Sequence, residues 1–300
     1  MTNQRARVSA VLLVGITIFC GACTSALAQF FEEEGLVLYN GDPADQAGLK
    51  IGSWGSGKYE ENPRLAFSGR FSIKVSGRSL YDGVRLDFQN APDITSYYND
   101  RNGYIQLIAR FRVQGEDTTY GYSSTYGTTS TATKPIRRVR VAMALNGEWV
   151  EGQVPLSACQ VGEDGWMRIS IPFAAMKAKK DLKEVRLKRL VITGDGNESF
   201  YIGAIRVITD NSEIQVFPNE DQYVAAGDDV MFRASCNPGA AAVKYSWDFD
   251  ASDGIQEDAV GELVYHKYRK SGEYTVTLTI SDLFGIKKSV STQSKVTVYD

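Results

Sequence analysis

Three aspartates, Asp248, Asp250 and Asp253, fall within six positions of the segment YSWDFDASDG near the C-terminus. Carboxylates at this spacing could coordinate calcium, or could exchange protons if two of them faced each other across a cleft. An EF-hand loop starting at Asp248 would need an acid or amide at its fifth position and a glutamate at its twelfth, where this chain has Ser252 and Ala259. The EF-hand is therefore excluded. A solvated strand end supplies neither cleft nor partner base, so the sequence favours a structural turn.

Most hydrolytic chemistry is excluded by the single histidine of the chain, His266. Metal hydrolases and Ser-His-Asp enzymes use histidine as ligand or base. The chain also has no G-x-S-x-G, H-E-x-x-H, P-loop or dinucleotide-binding motif. A glycosidase with two carboxylates needs no fixed motif and stays an alternative. The sequence predicts a protein that is not an enzyme and that needs no cofactor.

The N-terminus has the layout of a secretory signal peptide, with a basic start, a short apolar run and a small-x-small cleavage site at residues 26–28. Residues 1–28 are predicted to be removed, and the apolar run is too short to favour a membrane span. A lipid anchor at Cys23 is the alternative, although Cys20 occupies the position where a lipoprotein signal has a branched aliphatic residue. We expect a secreted protein, extracellular or at the surface of a bacterium, with no transmembrane span after cleavage.

The balance of charges and cysteines narrows the possible partners. Without residues 1–28 the chain carries 31 basic and 36 acidic side chains, because only Arg5 and Arg7 are lost, and its net charge is −5. An acidic chain without a basic block predicts no nucleic-acid partner. Cys159 and Cys236 remain, far apart in sequence and outside any CxxC motif. We interpret them as two separate buried thiols rather than a disulfide or zinc ligands.

The first part of the chain shows many short strands and almost no helix. In RVRVAMAL (138–145), for example, Val, Met and Leu alternate with Arg and Ala and then run into the Asn-Gly turn 146–147. Only the segment 172–180 shows a helical pattern, and residues 116–135, rich in Thr, Ser, Gly and Tyr, predict a long exposed loop. This pattern predicts an antiparallel β-sandwich or jelly roll.

The pattern breaks at residues 210–212 and then restarts as a second set of strands. In EYTVTLTIS (273–281), Tyr, Val, Leu and Ile form one face and threonines the other. About 90 residues with this strand spacing suit a small immunoglobulin-like sandwich. The sequence therefore predicts an all-β protein with a signal peptide (1–28), a jelly-roll domain (29–210) and an immunoglobulin-like domain (211–300).

The second domain resembles the PKD (polycystic kidney disease) family over residues 213–300. Its motifs resemble the family's W-x-F-G-D-G, H-x-Y and G-x-Y-x-V-x-L-x-V-x-D segments, here Trp247-Asp248-Phe249-Asp250 with Asp253-Gly254, His266-Lys267-Tyr268 and residues 272–282. The resemblance implies that Trp247 is in the core, that His266 is a strand-end residue, and that the domain is a spacer or adhesion module. Some members bind calcium at such acidic turns, which implies a calcium site at Asp248, Asp250 and Asp253. The chain departs from the family at Asp250, where relatives have glycine, and this departure predicts a wider turn.

The first domain resembles jelly-roll carbohydrate-binding modules and galactose-binding-like domains. The segments that carry the resemblance are residues 69–75, 164–173 and 200–207. Gly203 stands where many members have an aspartate that supports a structural calcium, so a metal there is not expected.

Sugar binding on a sandwich needs aromatic rings that stack on pyranose faces, together with a few polar groups. Aromatic residues among small or polar neighbours are the candidates, whereas Trp149 and Trp166 are expected in the core. The candidates are Trp54, Tyr97, Tyr98, Tyr120, Tyr122 and Tyr126.

The sequence as a whole favours a secreted, non-catalytic protein that binds a glycan or polysaccharide through its jelly roll, with the PKD-like domain as spacer or adhesion module. The first alternative is a structural or adhesive cell-envelope protein that binds cell-surface proteins. A polysaccharide hydrolase is the second alternative.

Overall fold

The computed structural model describes residues 35–77, 79–111, 134–162, 164–176, 178 and 182–300. The predicted signal peptide (1–28) with Cys23, and the candidate residues Tyr120, Tyr122 and Tyr126, lie outside the described residues. No helix in the described ranges is long and apolar enough to cross a membrane. Secretion and the lipid anchor stay predictions from the sequence.

The described part of the chain is built almost entirely from strands, in agreement with the predicted all-β class. Twelve strands precede residue 210: β1 (Gly35–Tyr39), β2 (Leu49–Trp54), β3 (Lys58–Asn62), β4 (Ser72–Ser76), β5 (Gly83–Phe88), β6 (Gly103–Arg110), β7 (Arg138–Leu145), β8 (Glu148–Pro155), β9 (Gln160–Val161), β10 (Met167–Pro172), β11 (Leu187–Gly194) and β12 (Ser199–Thr209). A single α-helix, α1 (Thr95–Asn99), and two 3₁₀ turns, Leu156–Ala158 and Phe173–Ala175, are the helical elements described in this part.

These strands form two antiparallel sheets, which we call the first and second sheets of the N-terminal sandwich. The first sheet has the order β3-β4-β12-β6-β10-β9, with β1 also paired to β12, and the second has the order β2-β5-β11-β7-β8. Non-consecutive strands are neighbours in both sheets, as in jelly rolls and other antiparallel sandwiches. The fold class predicted from the sequence is confirmed.

The core lies between the two sheets and follows the alternation of the sequence. In β7, the inward residues Val139, Val141, Met143 and Leu145 are all fully buried in the core cluster. Because side chains alternate on a strand, Arg138, Arg140, Ala142 and Ala144 point to the opposite side of the second sheet. The Asn-Gly turn 146–147 then returns the chain as β8, in the register the hairpin signal predicts.

Nine further strands follow residue 210 and form what we call the C-terminal sandwich. Their bounds are β13 (Gln215–Phe217), β14 (Gln222–Ala225), β15 (Asp229–Arg233), β16 (Ser235–Asn237), β17 (Val243–Asp248), β18 (Ala259–Val260), β19 (Leu263–Lys267), β20 (Gly272–Asp282) and β21 (Val290–Tyr299). A five-stranded sheet β14-β21-β20-β17-β18 faces the pairs β13-β16 and β15-β19. Trp247 is 1% exposed in the core between them, as the PKD resemblance implies. No described sheet mixes strands from before and after residue 210.

The side of the first sheet that faces away from the core is covered at one end by aromatic residues. Phe67 and Trp166 pack there edge to face, with ring centroids 5.5 Å apart, and both are buried. A Cβ at Gly203 would lie 2.3 Å from Cβ of Phe67 and 2.8 Å from the Trp166 ring. This packing explains why glycine occupies position 203. Trp166, expected in the core, is buried in this separate cluster rather than between the two sheets.

The C-terminal sandwich packs against the other end of the same face. Tyr104 and Ile208 of the first sheet form a buried apolar cluster with Ala240, and Ile286 packs against it. Beside this cluster, Nζ of Lys287 lies 2.6 Å from Oδ2 of Asp210. Together these contacts cover the part of the outer side of the first sheet near Tyr104 and Ile208.

The fold corrects the helix expected at residues 172–180. In the described part of this segment, Pro172 ends β10 and Phe173–Ala175 form a 3₁₀ turn in place of an α-helix. The α-helix that does form, Thr95–Asn99, has no side-chain cap and no buried residue. The sequence therefore shows no helical periodicity of apolar residues there.

The two cysteines are free thiols that lie near the junction of the two sandwiches. Gln160, next to Cys159, points its amide to the carbonyl oxygen of Cys236 at 3.5 Å. Burial raises the pKa of the Cys159 thiol to about 12. The thiol of Cys159 is therefore uncharged and unreactive near neutral pH.

Candidate functional site

The candidate site is the side of the second sheet that faces away from the core, which we call the outer face. Register aligns its residues in three rows that run across the strands β2, β5, β11, β7 and β8. The rows are Lys50-Asp87-Arg189-Ala144-Trp149, Gly52-Arg85-Val191-Ala142-Glu151 and Trp54-Gly83-Thr193-Arg140-Gln153.

Two tryptophans from opposite edge strands meet over this outer face. Trp54 ends β2 and Trp149 lies near the start of β8, yet their ring centroids are 5.7 Å apart with an interplanar angle of 15°. Five flat strands would separate the two edges by about 19 Å. The sheet must therefore curve toward its outer face for the two indoles to stack, and that face is concave.

The centre of the middle row is formed by two small apolar residues. Ala142 and Val191 lie between Glu151 and Arg85, whose side chain covers Gly52. Ala142 and Val191 are both fully buried although neither belongs to the core cluster between the sheets. The floor of the concave face is therefore apolar and covered.

Charged side chains surround this apolar floor in oppositely charged pairs. The guanidinium of Arg140 donates to Glu151 through Nε at 3.2 Å and also through Nη2. On the other half of the face, Arg189 donates to Asp87, which also lies 3.6 Å from Nε of Arg85. The outer face thus combines stacked aromatic rings with hydrogen-bonding groups, the two features that recognise a sugar.

Tyr81 extends this set of aromatic residues at the rim. Its ring is 63% exposed, and the guanidinium carbon of Arg140 lies 5.2 Å from the ring centroid. The segment that holds it is fixed to the face, because Oγ1 of Thr193 donates to the carbonyl oxygen of Leu80 at 2.5 Å. A cation over an aromatic ring orients both groups.

The predicted sugar contacts Trp54, Tyr97 and Tyr98 are not brought together. Tyr97 and Tyr98 lie on α1 and pack partly against the core. The hydroxyl of Tyr98 accepts the backbone N–H of Ala178 at 2.9 Å, and its ring packs on Phe173 at 5.5 Å. Burial is the main cause that raises the pKa of Tyr98. These contacts give Tyr98 a packing role, and Trp54 alone of the three lies on the outer face.

Trp149 is the residue that the sequence interpretation missed. It was expected in the core and is instead 41% exposed, so that expectation was wrong. The signal was present: Val150 and Val154 are inward residues of β8, and alternation then places Trp149 outward.

Two of the three aspartates of the opening segment, Asp248 and Asp250, accept hydrogen bonds from the backbone of the turn, and Asp253 is exposed. Asp248 is buried, and its two carboxylate oxygens accept the N–H groups of Asp250 at 2.9 Å and Gln256 at 2.8 Å. Asp250 accepts the N–H of Ser252 at 3.2 Å and starts a 3₁₀ turn. Within the described residues, no group of three or more His, Cys, Asp or Glu side chains is arranged to hold a metal ion. Calcium binding by Asp248, Asp250 and Asp253 stays a prediction.

The conformation of Asp250 explains the departure from glycine. Its φ of −152° is open to any residue, and the positive φ of this turn, +98°, falls later at Gly254. The wider turn predicted from the sequence is present. His266 lies in β19 and stacks on Phe249 with ring centroids 4.1 Å apart, where burial lowers its pKa against the opposing effect of Asp258.

Comparison with known proteins identifies the C-terminal part. Residues 213–298 match the family model described as PKD domain, so the resemblance seen in the sequence is confirmed and this part of the chain is a PKD domain. No curated protein matches the chain.

Several solved structures match at low identity. A quinonprotein alcohol dehydrogenase-like protein from Bacteroides thetaiotaomicron is 15% identical with a TM-score of 0.23; the match covers 28% of this chain and 18% of that one. The CBM22-1 xylan-binding domain of Paenibacillus barcinonensis Xyn10C is 11% identical with a TM-score of 0.33, covering 60% of this chain and 98% of that one. The C-terminal family 22 carbohydrate binding module of Clostridium thermocellum Xyn10B is 15% identical with a TM-score of 0.28, covering 55% and 86%. At this similarity, ligand binding has to be argued from the residues of this chain.

Proposed function

We propose that the protein is a non-catalytic glycan-binding protein whose binding surface is the outer face of the second sheet. The observation that carries the proposal is the stack of Trp54 and Trp149 over a concave, apolar floor. Indole rings provide flat apolar surfaces for the C–H faces of pyranose rings, and the flanking Arg, Asp and Glu side chains offer donors and acceptors to the hydroxyls.

The stacked pair corresponds to a closed arrangement of the face. A pyranose held between the two indoles would need them about 7–8 Å apart, because each contact takes about 3.5–4 Å. Their centroids are 5.7 Å apart, so a sugar either parts the pair or stacks on the outward side of Trp149, which is 41% exposed.

One feature of the face favours binding without hydrolysis. A glycosidase needs a pair of carboxyl groups that can reach the glycosidic bond. The two carboxylates of the strands on this face, Asp87 and Glu151, are each engaged by an arginine. This pairing suits the recognition of hydroxyl groups.

The PKD domain would act as the spacer of this protein. It packs on the outer side of the first sheet and leaves the tryptophan pair uncovered by its strands. In a secreted protein, as the signal-like segment 1–28 predicts, this arrangement presents the binding face away from the C-terminal sandwich.

Affinity electrophoresis against a panel of soluble polysaccharides tests the proposal. At least one glycan should retard the wild-type protein, and Trp54→Ala and Trp149→Ala should each weaken that binding by about tenfold, the loss of one aromatic stacking contact. Tyr223→Ala is the matched control, because Tyr223 is a 68% exposed aromatic residue of the PKD domain. Unchanged affinity of both tryptophan variants, or no binding to any glycan, would contradict the proposal.

A second candidate, an adhesive protein that binds other proteins, is favoured by one surface. Met231 and Tyr265 are paired across β15 and β19, and Leu263 lies one inward-facing residue away on the same side. These three side chains are 49%, 63% and 42% exposed and form an apolar strip on the PKD domain. Exposed apolar strips of this kind mark protein contacts. Sedimentation of the wild type and of Tyr265→Ser against mixed cell-envelope proteins separates this candidate from glycan binding.

A further inference from the structure

The outer face of the second sheet is positively charged although the whole chain is negative. Its described strand residues include five cations, Lys50, Arg85, Arg138, Arg140 and Arg189, and two anions, Asp87 and Glu151. These seven strand residues carry a net charge of +3, while the chain carries −3. A local excess of one sign on a chain of the other sign attracts ligands of opposite charge.

Arg140 adds a donor that the protein itself leaves unused. Its side chain is 5% exposed, and Glu151 engages Nε and Nη2. Its Nη1 is buried and has no hydrogen-bond partner among the described residues. A buried charged donor without an acceptor is unfavourable, so an acceptor brought by a ligand is a favourable partner.

Arg85 shows the same incomplete pairing on the other half of the face. Its Nε is also buried without a hydrogen bond among the described residues, and its nearest carboxylate oxygen, on Asp87, is 3.6 Å away. Arg85 lies over Gly52, where a Cβ would be 2.7 Å from Nε. Arg85 and Arg140 belong to adjacent rows, on either side of Val191, so the two incomplete guanidinium groups flank the apolar floor.

We propose that the glycan bound at the tryptophan pair is an acidic polysaccharide, one whose sugar rings carry carboxylates. Guanidinium groups match the planar pair of oxygens of a carboxylate, and two arginines of this face, Arg140 and Arg189, already contact carboxylates, those of Glu151 and Asp87. A neutral glycan would leave the excess of arginines and lysine on these strands without a partner. The inference rests on the proposed binding face and specifies its ligand.

A matched pair of polymers tests the inference with the full-length mature protein. Affinity electrophoresis compares polygalacturonate with the same polymer after methyl esterification, which keeps the backbone and removes the charge; xylan serves as a neutral glycan and dextran sulfate as a sulfated one. The wild type should bind polygalacturonate at least about tenfold more tightly than its ester, and added salt should weaken that binding.

Two variants, each with one positive charge fewer, test whether binding of the acidic polymer depends on the outer face. Arg140→Gln should weaken binding of polygalacturonate by about tenfold. Lys74→Gln, on the outer side of the first sheet, should leave it unchanged. Melting temperatures of both variants show whether they are folded. If Arg140→Gln unfolds, Arg85→Gln serves in its place, because Arg85 is only half-buried.

Each remaining outcome decides one of the two proposals. Equal binding of polygalacturonate and its ester, or binding of xylan alone, overturns the acidic ligand and leaves the glycan-binding face standing. Binding of dextran sulfate without binding of polygalacturonate overturns the proposal that the ligand is recognised through carboxylates. Equal losses in Arg140→Gln and Lys74→Gln assign the effect to net charge rather than to this face. Binding to no polymer overturns both proposals.

Discussion

Asp210 and Lys287 form an ion pair, with 2.6 Å between Oδ2 and Nζ, in which the side chains are 4% and 5% exposed. Asp210 follows β12 directly, and Lys287 precedes β21, so the pair joins the two sandwiches. The ammonium group also donates to the carbonyl oxygen of Pro238 at 2.9 Å and to Ser212 at 3.1 Å. A buried pair with complete hydrogen bonding fixes the orientation of its partners, and here it holds the PKD domain against the first sheet.

Lys287→Ala should therefore destabilise the protein strongly. Removing one partner of a buried ion pair leaves an uncompensated charge and costs about 3–5 kcal/mol. Urea unfolding followed by tryptophan fluorescence measures the loss. Lys288→Ala is the control, because Lys288 is exposed and the substitution should change the free energy of unfolding by less than about 0.5 kcal/mol. Similar effects for the two variants would refute a structural role of the pair.

The ion pair of Asp210 and Lys287 should also make the stability of the fold decrease at acid pH. Burial raises the pKa of Asp210, but hydrogen bonds from the N–H of Ala240, from Lys287 and from Ser212 outweigh it, and the net pKa lies below the ordinary value. A lowered pKa stabilises the fold above the unfolded value of about 3.9. This contribution is lost as pH falls through the folded pKa.

In the variant Asp210→Asn, the free energy of unfolding should therefore decrease less at acid pH than it does in the wild type. The variant should be less stable than the wild type near neutral pH, and the difference should shrink as pH falls below about 4. Urea midpoints measured at a series of pH values give the two curves. Parallel curves across the acid range would show that Asp210 titrates alike in the folded and unfolded states.

Gly239 is where the backbone makes room for the ion pair. Its φ is +61°, and a Cβ there would lie 2.3 Å from Oδ2 of Asp210 and 2.5 Å from Nζ of Lys287. Gly227 has a φ of +95° and no atom within 4 Å of its Cβ position. A substitution there therefore introduces backbone strain without a steric contact. Gly227→Ala should cost about 1–2 kcal/mol. Gly239→Ala should cost at least about 3 kcal/mol, because it also displaces the pair. Chemical denaturation compares them, and equal costs would leave backbone strain as the only cause.

The sequence predicted those parts of the fold that depend on neighbours along the chain. The alternation in β7 determined which of its residues face the core, and the Asn-Gly turn determined its pairing with β8. The wider turn at Asp250 and the burial of Trp247 followed from the PKD resemblance in the same way.

The candidate site was predicted only in part, because it depends on strand order and curvature. Trp54 and Trp149 lie on β2 and β8, at opposite edges of the second sheet, and no local pattern connects them. A sugar contact at Tyr97 and Tyr98 stays a prediction, but the structure places both away from Trp54. Their neighbours in sequence are small or polar, but their neighbours in space are the core residues under α1. Composition around an aromatic residue therefore does not decide its exposure.

The tryptophan stack should be visible in solution. Two indoles at 5.7 Å and nearly parallel couple their electronic transitions, so the far-ultraviolet circular dichroism of the wild type should contain an exciton couplet. Trp54→Ala and Trp149→Ala should each remove it completely, since a couplet needs both rings. Trp166→Phe should retain it, because Trp166 packs on Phe67 beside the other sheet. A couplet that survives either alanine variant would show that the rings do not stack.

Asp248 should matter for stability far more than Asp253, although both belong to the same acidic segment. Asp248 is 2% exposed and accepts two backbone N–H groups, whereas Asp253 is exposed. Asp248→Ala should cost about 2–4 kcal/mol because it leaves two partly buried donors without an acceptor. Asp253→Ala should change the free energy of unfolding by less than about 0.5 kcal/mol. Melting curves with and without calcium make the comparison decisive. A calcium-dependent rise in melting temperature that both variants abolish would assign the aspartates to a metal site. A loss confined to Asp248→Ala and independent of calcium assigns them to the turn.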